Sequence, residues 1–138
     1  MELRGDELAA DKAWNDELSK VRVETADDAA KRIFYTALYH TMVAPSEFCD
    51  ANGDYRGADG QVRPNPGYKT YTTFSLWDTY RAYHPLLNLI RQDMSADIAN
   101  SMLRHYDRSV EHMLPIWSFY GNETWCMIAT TPCRSSPT

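Results

Sequence analysis

Cysteine is scarce in this chain: Cys49, Cys126 and Cys133 are the only three among 138 residues. They are too few and too scattered for a disulfide scaffold or a zinc site. Long apolar runs are missing as well. No stretch approaches 18 apolar residues, so no segment reads as a membrane-spanning helix. The opening residues, MELRGDELAADKAW, are charged from the start and lack the apolar core of an export signal. Basic charge is in deficit, with 14 Lys and Arg against 19 Asp and Glu and a net charge of −5. A general nucleic-acid binder needs a basic stripe to meet phosphates, so that class is excluded. The histidines His40, His84, His105 and His112 form no HExxH pair and read as packing or surface residues. No internal repeat is visible.

What is present suits a folded domain. Charged residues at 24% and hydrophobic ones at 43% exclude bulk disorder, and the length allows one domain with a real core. Aromatics are abundant, with nine Tyr and four Trp.

Helical signals come first. Residues 6–18 are rich in Ala, Leu, Glu and Lys and predict a helix, followed by a short extended bridge at 21–23. Thr25 is placed to cap the next helix, with Asp28 three residues on. Ala30, Ile33, Phe34, Ala37, Leu38 and Thr41 then form one apolar stripe, which Pro45 should end by Val43. The window 45–73 reads differently. Asn52-Gly53, Asp59-Gly60 and Pro66-Gly67 are dense turn signals, and the pieces between them predict a long loop with one or two hairpins. So long an excursion between helices is uncommon unless it builds a site. Ser75-Leu76-Trp77-Asp78 is a capping-box pattern that opens a helix, and Pro85 should kink or restart it. Ser95 should cap a further helix through Ile98, Met102 and Tyr106. Residues 115–120 form a short apolar or extended piece, Gly121 breaks it, and 122–128 could begin another helix.

Several residue groups carry possible chemistry. Asp50-Ala51-Asn52-Gly53-Asp54 begins like a calcium loop, but the positions that need Gly and Glu hold Tyr55 and Gln61, so a hairpin turn is expected. Asn122-Glu123-Thr124 is a glycosylation sequon between aromatic residues. Cys126 has no histidine beside it in sequence and reads as a small buried hydrophobe. Trp77, Asp78 and Arg81 would share a helical neighbourhood, Trp77 and Arg81 four apart and Asp78 and Arg81 able to pair. An aromatic plate beside a carboxylate and a guanidinium suits a sugar: the ring stacks on the apolar face and the charges hold hydroxyls. The alternative is that Asp78 only caps a helix and Trp77 lies in the core. Glu123, between Trp117 and Trp125, repeats the theme. It would serve a hydroxyl or a proton transfer, or else simply cap or face solvent.

Four ordered segments together resemble glycoside hydrolase family 92, the calcium-dependent α-mannosidases. They are FYTALYHTMVAP (34–45), DYRGADG (54–60), TTFSLWDTYRA with HPLL (72–87) and GNETWCMI (121–128). The resemblance spans about 14–128. It implies a mainly α fold: the opening helices of an (α/α)6 toroid with a loop and β-hairpin excursion at about 45–74, in an incomplete domain. Residues 1–24 would be a linker helix, 25–128 the N-terminal part of the catalytic domain, and 129–138 a disordered or aberrant tail, as after a truncation or frame change. The β-sandwich that precedes the toroid in the family has no counterpart here. The implied activity is exo-hydrolysis of terminal α-mannosides, of α-1,2 type, with inversion, for which acid and base stand roughly 6.5–9.5 Å apart. The family's acid, base and most of its calcium ligands lie in later motifs, so the chain alone is expected to be inactive, with no complete calcium site. By position, Trp77, Asp78, Arg81 and Glu123 become candidates to line the terminal mannose subsite, with Arg56 and Asp59 on a loop near the cleft. Partners would be mannose-containing glycans and the remainder of the domain, with no nucleic acid and no membrane. The family is commonly secreted or periplasmic, and nothing in this sequence fixes the location.

Overall fold

The computed structural model describes residues 3–110 and 112–126. The fold is mainly helical. Helices α1 (Leu3–Leu18) and α2 (Asp28–His40) precede short strands β1 (Ser46–Glu47), β2 (Tyr55–Arg56), β3 (Val62–Arg63) and β4 (Tyr71–Thr72). Helices α3 (Leu76–Thr79), α4 (Tyr83–Ile90) and α5 (Gln92–Arg108) follow, then strands β5 (Ser118–Phe119) and β6 (Asn122–Glu123). Two compact units divide between Val43 and Ala44. No helix among the described residues is long and apolar enough to cross a membrane.

The first unit holds α1 and α2. Good helix formers carry α1 from Leu3, three residues ahead of the expected start. The cap of α2 is Asp27, not Thr25. Asp27 is extended, and its carboxylate accepts the N–H groups of Ala29 at 2.9 Å and Ala30 at 3.0 Å. Thr25 lies too early to reach them, and its hydroxyl instead accepts the N–H of Asp27. The rings of Trp14 and Tyr39 meet at 4.7 Å. The Tyr35 hydroxyl clips the extended connection, accepting from Val23 N–H and donating to the Val21 carbonyl. Of the apolar stripe on α2, Leu38 is buried while Ile33 remains 70% exposed.

In the second unit the expected excursion becomes two antiparallel pairings, one inside the other. The outer pair sets Ser46 against Thr72 and Glu47 against Tyr71, and the inner pair sets Tyr55 against Arg63 and Arg56 against Val62. Gly53 turns the chain at φ +88°, where any Cβ would collide with the Asn65 amide. Two-residue strands cannot stand alone, and these are held by a core. Tyr71, Phe74, Leu87, Met94 and Ile98 are buried together, with Tyr83 and Met102 packed against them. The Tyr71 N–H donates to the Ser101 hydroxyl at 3.0 Å, which in turn donates to the Asp97 carbonyl, so β4 hangs on α5.

Pro85 falls in the first turn of α4, where its missing N–H costs nothing. Helix α5 begins at Gln92, so Ser95 is not its cap. Arg91, at φ −145°, breaks the chain between α4 and α5 without any side-chain cap. Ser95 lies inside the helix and donates its hydroxyl to Asn88. The inward face of α5 carries Met94, Ile98, Ser101 and His105, a spacing of four, three and four.

The helix expected at 122–128 is absent through Cys126; Met127 and Ile128 lie outside the described residues, as do the expected tail at 129–138 and Cys133. Tyr120 and Gly121 both take positive φ, +47° and +83°. That pair makes the two-residue turn whose twist suits a hairpin, so β5 and β6 pair instead.

Shortening Ile98 to Ala should lower unfolding stability by about 2–5 kcal/mol, because the side chain is 2% exposed and the site cannot refill. Shortening Ile33 should change it by less than about 0.5 kcal/mol. Urea unfolding of the two variants beside the parent chain checks both.

Candidate functional site: an aromatic and acidic wall beside the core

Phe74 is 4% exposed and pins the chain. Its N–H donates to the Ser118 carbonyl at 3.1 Å, and the N–H of Leu76 donates to the Ile116 carbonyl at 3.3 Å. These bonds lay the start of α3 alongside the segment that enters β5. The structure thereby brings Trp77 and Asp78 into the same neighbourhood as Glu123.

Helix α3 is a single turn. The Ser75 carbonyl accepts the N–H groups of Asp78 and Thr79. The expected capping box does not form with the backbone, because no helix N–H reaches the Ser75 hydroxyl. That hydroxyl donates directly to the Asp78 carboxylate. Trp77 is 54% exposed, which removes the alternative of a core tryptophan. The helix ends at Thr79, so Trp77 and Arg81 do not share a continuous helical face. Arg81 does not pair with Asp78 either. Its Nε donates to the Tyr80 hydroxyl at 2.7 Å, and its guanidinium carbon lies 5.5 Å from that ring's centre. Tyr80 is the residue that sequence reasoning passed over, although its place next to Arg81 was visible. The outcome is an exposed row of indole, carboxylate, phenol and guanidinium.

Glu123 is tied more tightly. Its Oε2 accepts the Ile116 N–H at 2.6 Å and the Trp117 N–H at 3.3 Å. Its Oε1 accepts from Trp117 at 3.2 Å, Thr124 at 2.9 Å and Trp125 at 3.1 Å. The Thr124 hydroxyl closes the same loop by donating to the Trp117 carbonyl at 2.7 Å. A carboxylate cannot cap a helix that is absent; this one gathers a hairpin.

Arg56 and Asp59 sit on the inner hairpin. Arg56 helps line a cavity of about 40 Å³, with Tyr55, Arg104, Arg108, Ser118 and Gly121. That volume holds about three waters, and it is too small for a hexose. Asp59 does not line it. Its carboxylate pairs with Arg63 and accepts the Gln61 N–H at 3.1 Å, and the Arg63 hydrogen bond, foremost, holds it below the usual carboxylate range. A wider polar cleft of about 710 Å³ lies elsewhere on this unit, between Glu47, Asp50, Asn52, Lys69, Arg91 and Asp97. None of the six candidate residues lines it.

Asp50, Asn52 and Asp54 form a turn, as expected. The Asn52 amide donates to Asp54, and Asp54 accepts the N–H of Asn65. No three His, Cys, Asp or Glu side chains converge as metal ligands among the described residues. Cys126 is exposed rather than buried, with its thiol 3.5 Å from the Thr124 carbonyl. Asn122 of the sequon is exposed at the foot of the β5–β6 turn.

A sequence profile of the glycosyl hydrolase family 92 catalytic domain matches residues 4–133. The solved structure of the family GH92 α-mannosidase BT3965 from Bacteroides thetaiotaomicron, in complex with mannoimidazole, is 58% identical over 83% of this chain, with a TM-score of 0.78. A second structure of BT3965 is 56% identical over 89% of this chain, at 0.82. The family GH92 inverting mannosidase BT2199, from the same species, is 33% identical over 88%, at 0.78. The matches cover 15%, 17% and 16% of those proteins, so the chain spans about a sixth of their length. No curated protein matches the chain.

His84 shapes the base of this wall. Its Nε2 lies 3.0 Å from the Thr79 hydroxyl, and burial pushes its pKa below the ordinary value of 6.5. Protonation therefore favours the unfolded chain. The stability tied to neutral His84 is complete above about pH 6.5 and is lost as pH falls from there towards its lower folded-state value. The expected outcome is that thermal midpoints drop more between pH 7 and 5.5 for the parent chain than for His84→Gln.

Proposed function

This chain belongs to glycoside hydrolase family 92, and we propose that it supplies part of the wall of the terminal mannose subsite in an inverting, α-1,2-type α-mannosidase. The observation that carries the reading is the exposed row Trp77, Asp78, Tyr80 and Arg81, inside the region matched to a relative whose structure holds mannoimidazole. Trp77 offers an apolar plate for a pyranose face, and Asp78 and Arg81 offer charge-assisted hydrogen bonds to its hydroxyls. Glu123 belongs to the same wall. Arg56 shares a small cavity with Ser118 and Gly121 of the β5–β6 hairpin, and Asp59 follows on the same inner hairpin; both contribute through its shape and charge.

In this reading the acid and base of the reaction, and most of the ligands of the family's calcium ion, are supplied from outside this segment. The substrate class is a mannose-containing glycan with an accessible terminal α-linkage. The chain needs the remainder of its domain to turn that substrate over.

Alone, with an aryl α-mannoside and calcium, the chain should release no mannose. Grafted in place of the matching segment of BT3965, it should restore hydrolysis. In that chimaera Asp78→Asn should lower kcat/KM by roughly 10–100-fold, the worth of a hydrogen bond to a charged group. Leu89→Ala, at an 81% exposed position away from the wall, should leave kcat/KM unchanged. Full activity in the Asp78→Asn chimaera would contradict the assignment.

A further inference from the structure

The contacts of Glu123 define a different role from that of a sugar ligand. A carboxylate has about four lone-pair sites, and those of Glu123 meet four main-chain N–H groups. Little remains for a hydroxyl of a substrate. One of the four donors belongs to Trp125, which adopts φ +58°. That left-handed conformation is disfavoured for a bulky residue and persists where the surroundings impose it. Trp125 is nevertheless 55% exposed, so the conformation is not fixed by burial of the indole. The Leu76 to Ile116 bond joins the same loop to the turn that carries Trp77.

We infer that Glu123 is a positioning residue: its carboxylate holds Trp125 in the left-handed turn, and the exposed Trp125 indole then serves as a second stacking plate for a sugar. The stacking role rests on the mannose-subsite reading above; the holding role does not.

Amide and indole NMR signals of the full chain separate the two. Glu123→Gln should speed amide hydrogen exchange at Ile116, Trp117, Thr124 and Trp125 by at least about tenfold. Adding Trp125→Gly should restore protection at Thr124, whose N–H also donates to the Trp117 carbonyl, because glycine accepts positive φ freely. In the parent chain, methyl α-mannoside at millimolar concentration should move the indole N–H signals of both Trp77 and Trp125. In Glu123→Gln it should move that of Trp77 alone. Unchanged exchange in Glu123→Gln would overturn the positioning role and return Glu123 to the list of direct ligands. Faster exchange without rescue by Trp125→Gly would overturn the hold on Trp125. A mannoside response at Trp77 but not Trp125 in the parent chain would overturn the second plate. No response at either indole, with exchange faster in Glu123→Gln, would overturn the sugar reading while supporting the positioning role.

Discussion

Everything in the second unit depends on the burial of Tyr71 and Phe74 against Leu87, Met94 and Ile98. The strands around them are two residues long and have no stability of their own. What holds the excursion in place is that β4 ends in this core and that its backbone donates to Ser101 on α5. Tyr71 and its neighbour Thr72 are both buried, so β4 is enclosed on both faces, and the core fixes its place as well as its packing.

The same constraint aims the candidate site. Phe74 is the last buried residue before α3, and its N–H bonds to Ser118, which is itself 1% exposed. Beyond that anchor the chain makes one helical turn into solvent. Trp77, Asp78 and Arg81 are thus carried on a short projection whose base is core and whose tip is exposed. The β5–β6 hairpin is fixed to the same base, and Glu123 gathers its open end. A row of polar and aromatic groups on such a base is what the proposed mannose subsite asks for. The proton transfers of glycoside hydrolysis need a pair of carboxyl groups flanking a bond, and the proposal assigns that pair to the remainder of the domain.

Much of this was legible in the sequence, for physical reasons that differ by element. The stripe on α2 and the turn pairs at 52–53 and 59–60 are local signals, and local hydrogen bonding decides them. The family resemblance was legible because its motifs lie in order along most of the chain. The failures are places where distant contacts decide. Ser95 has the chemistry of a cap, but the capping position falls at Arg91, four residues earlier. Residues 122–126 hold nothing that forbids a helix, yet a non-glycine residue at positive φ and a carboxylate that collects four N–H groups make a hairpin there. Trp77 and Arg81 have helical spacing on a helix that stops short of it. Neither the Ser75 to Asp78 contact nor the Arg81 to Tyr80 contact follows from spacing alone.

The exposed stripe on α2 and the projecting wall agree with a chain that spans about a sixth of the relatives it matches. The account's central claim is that Trp77 and Asp78 face the terminal mannose. A crystal structure of the chimaera with mannoimidazole tests it most directly. The expected result is an Asp78 carboxylate oxygen within about 3.2 Å of a sugar hydroxyl and the Trp77 ring against the ligand. A ligand bound with neither residue in contact would contradict it.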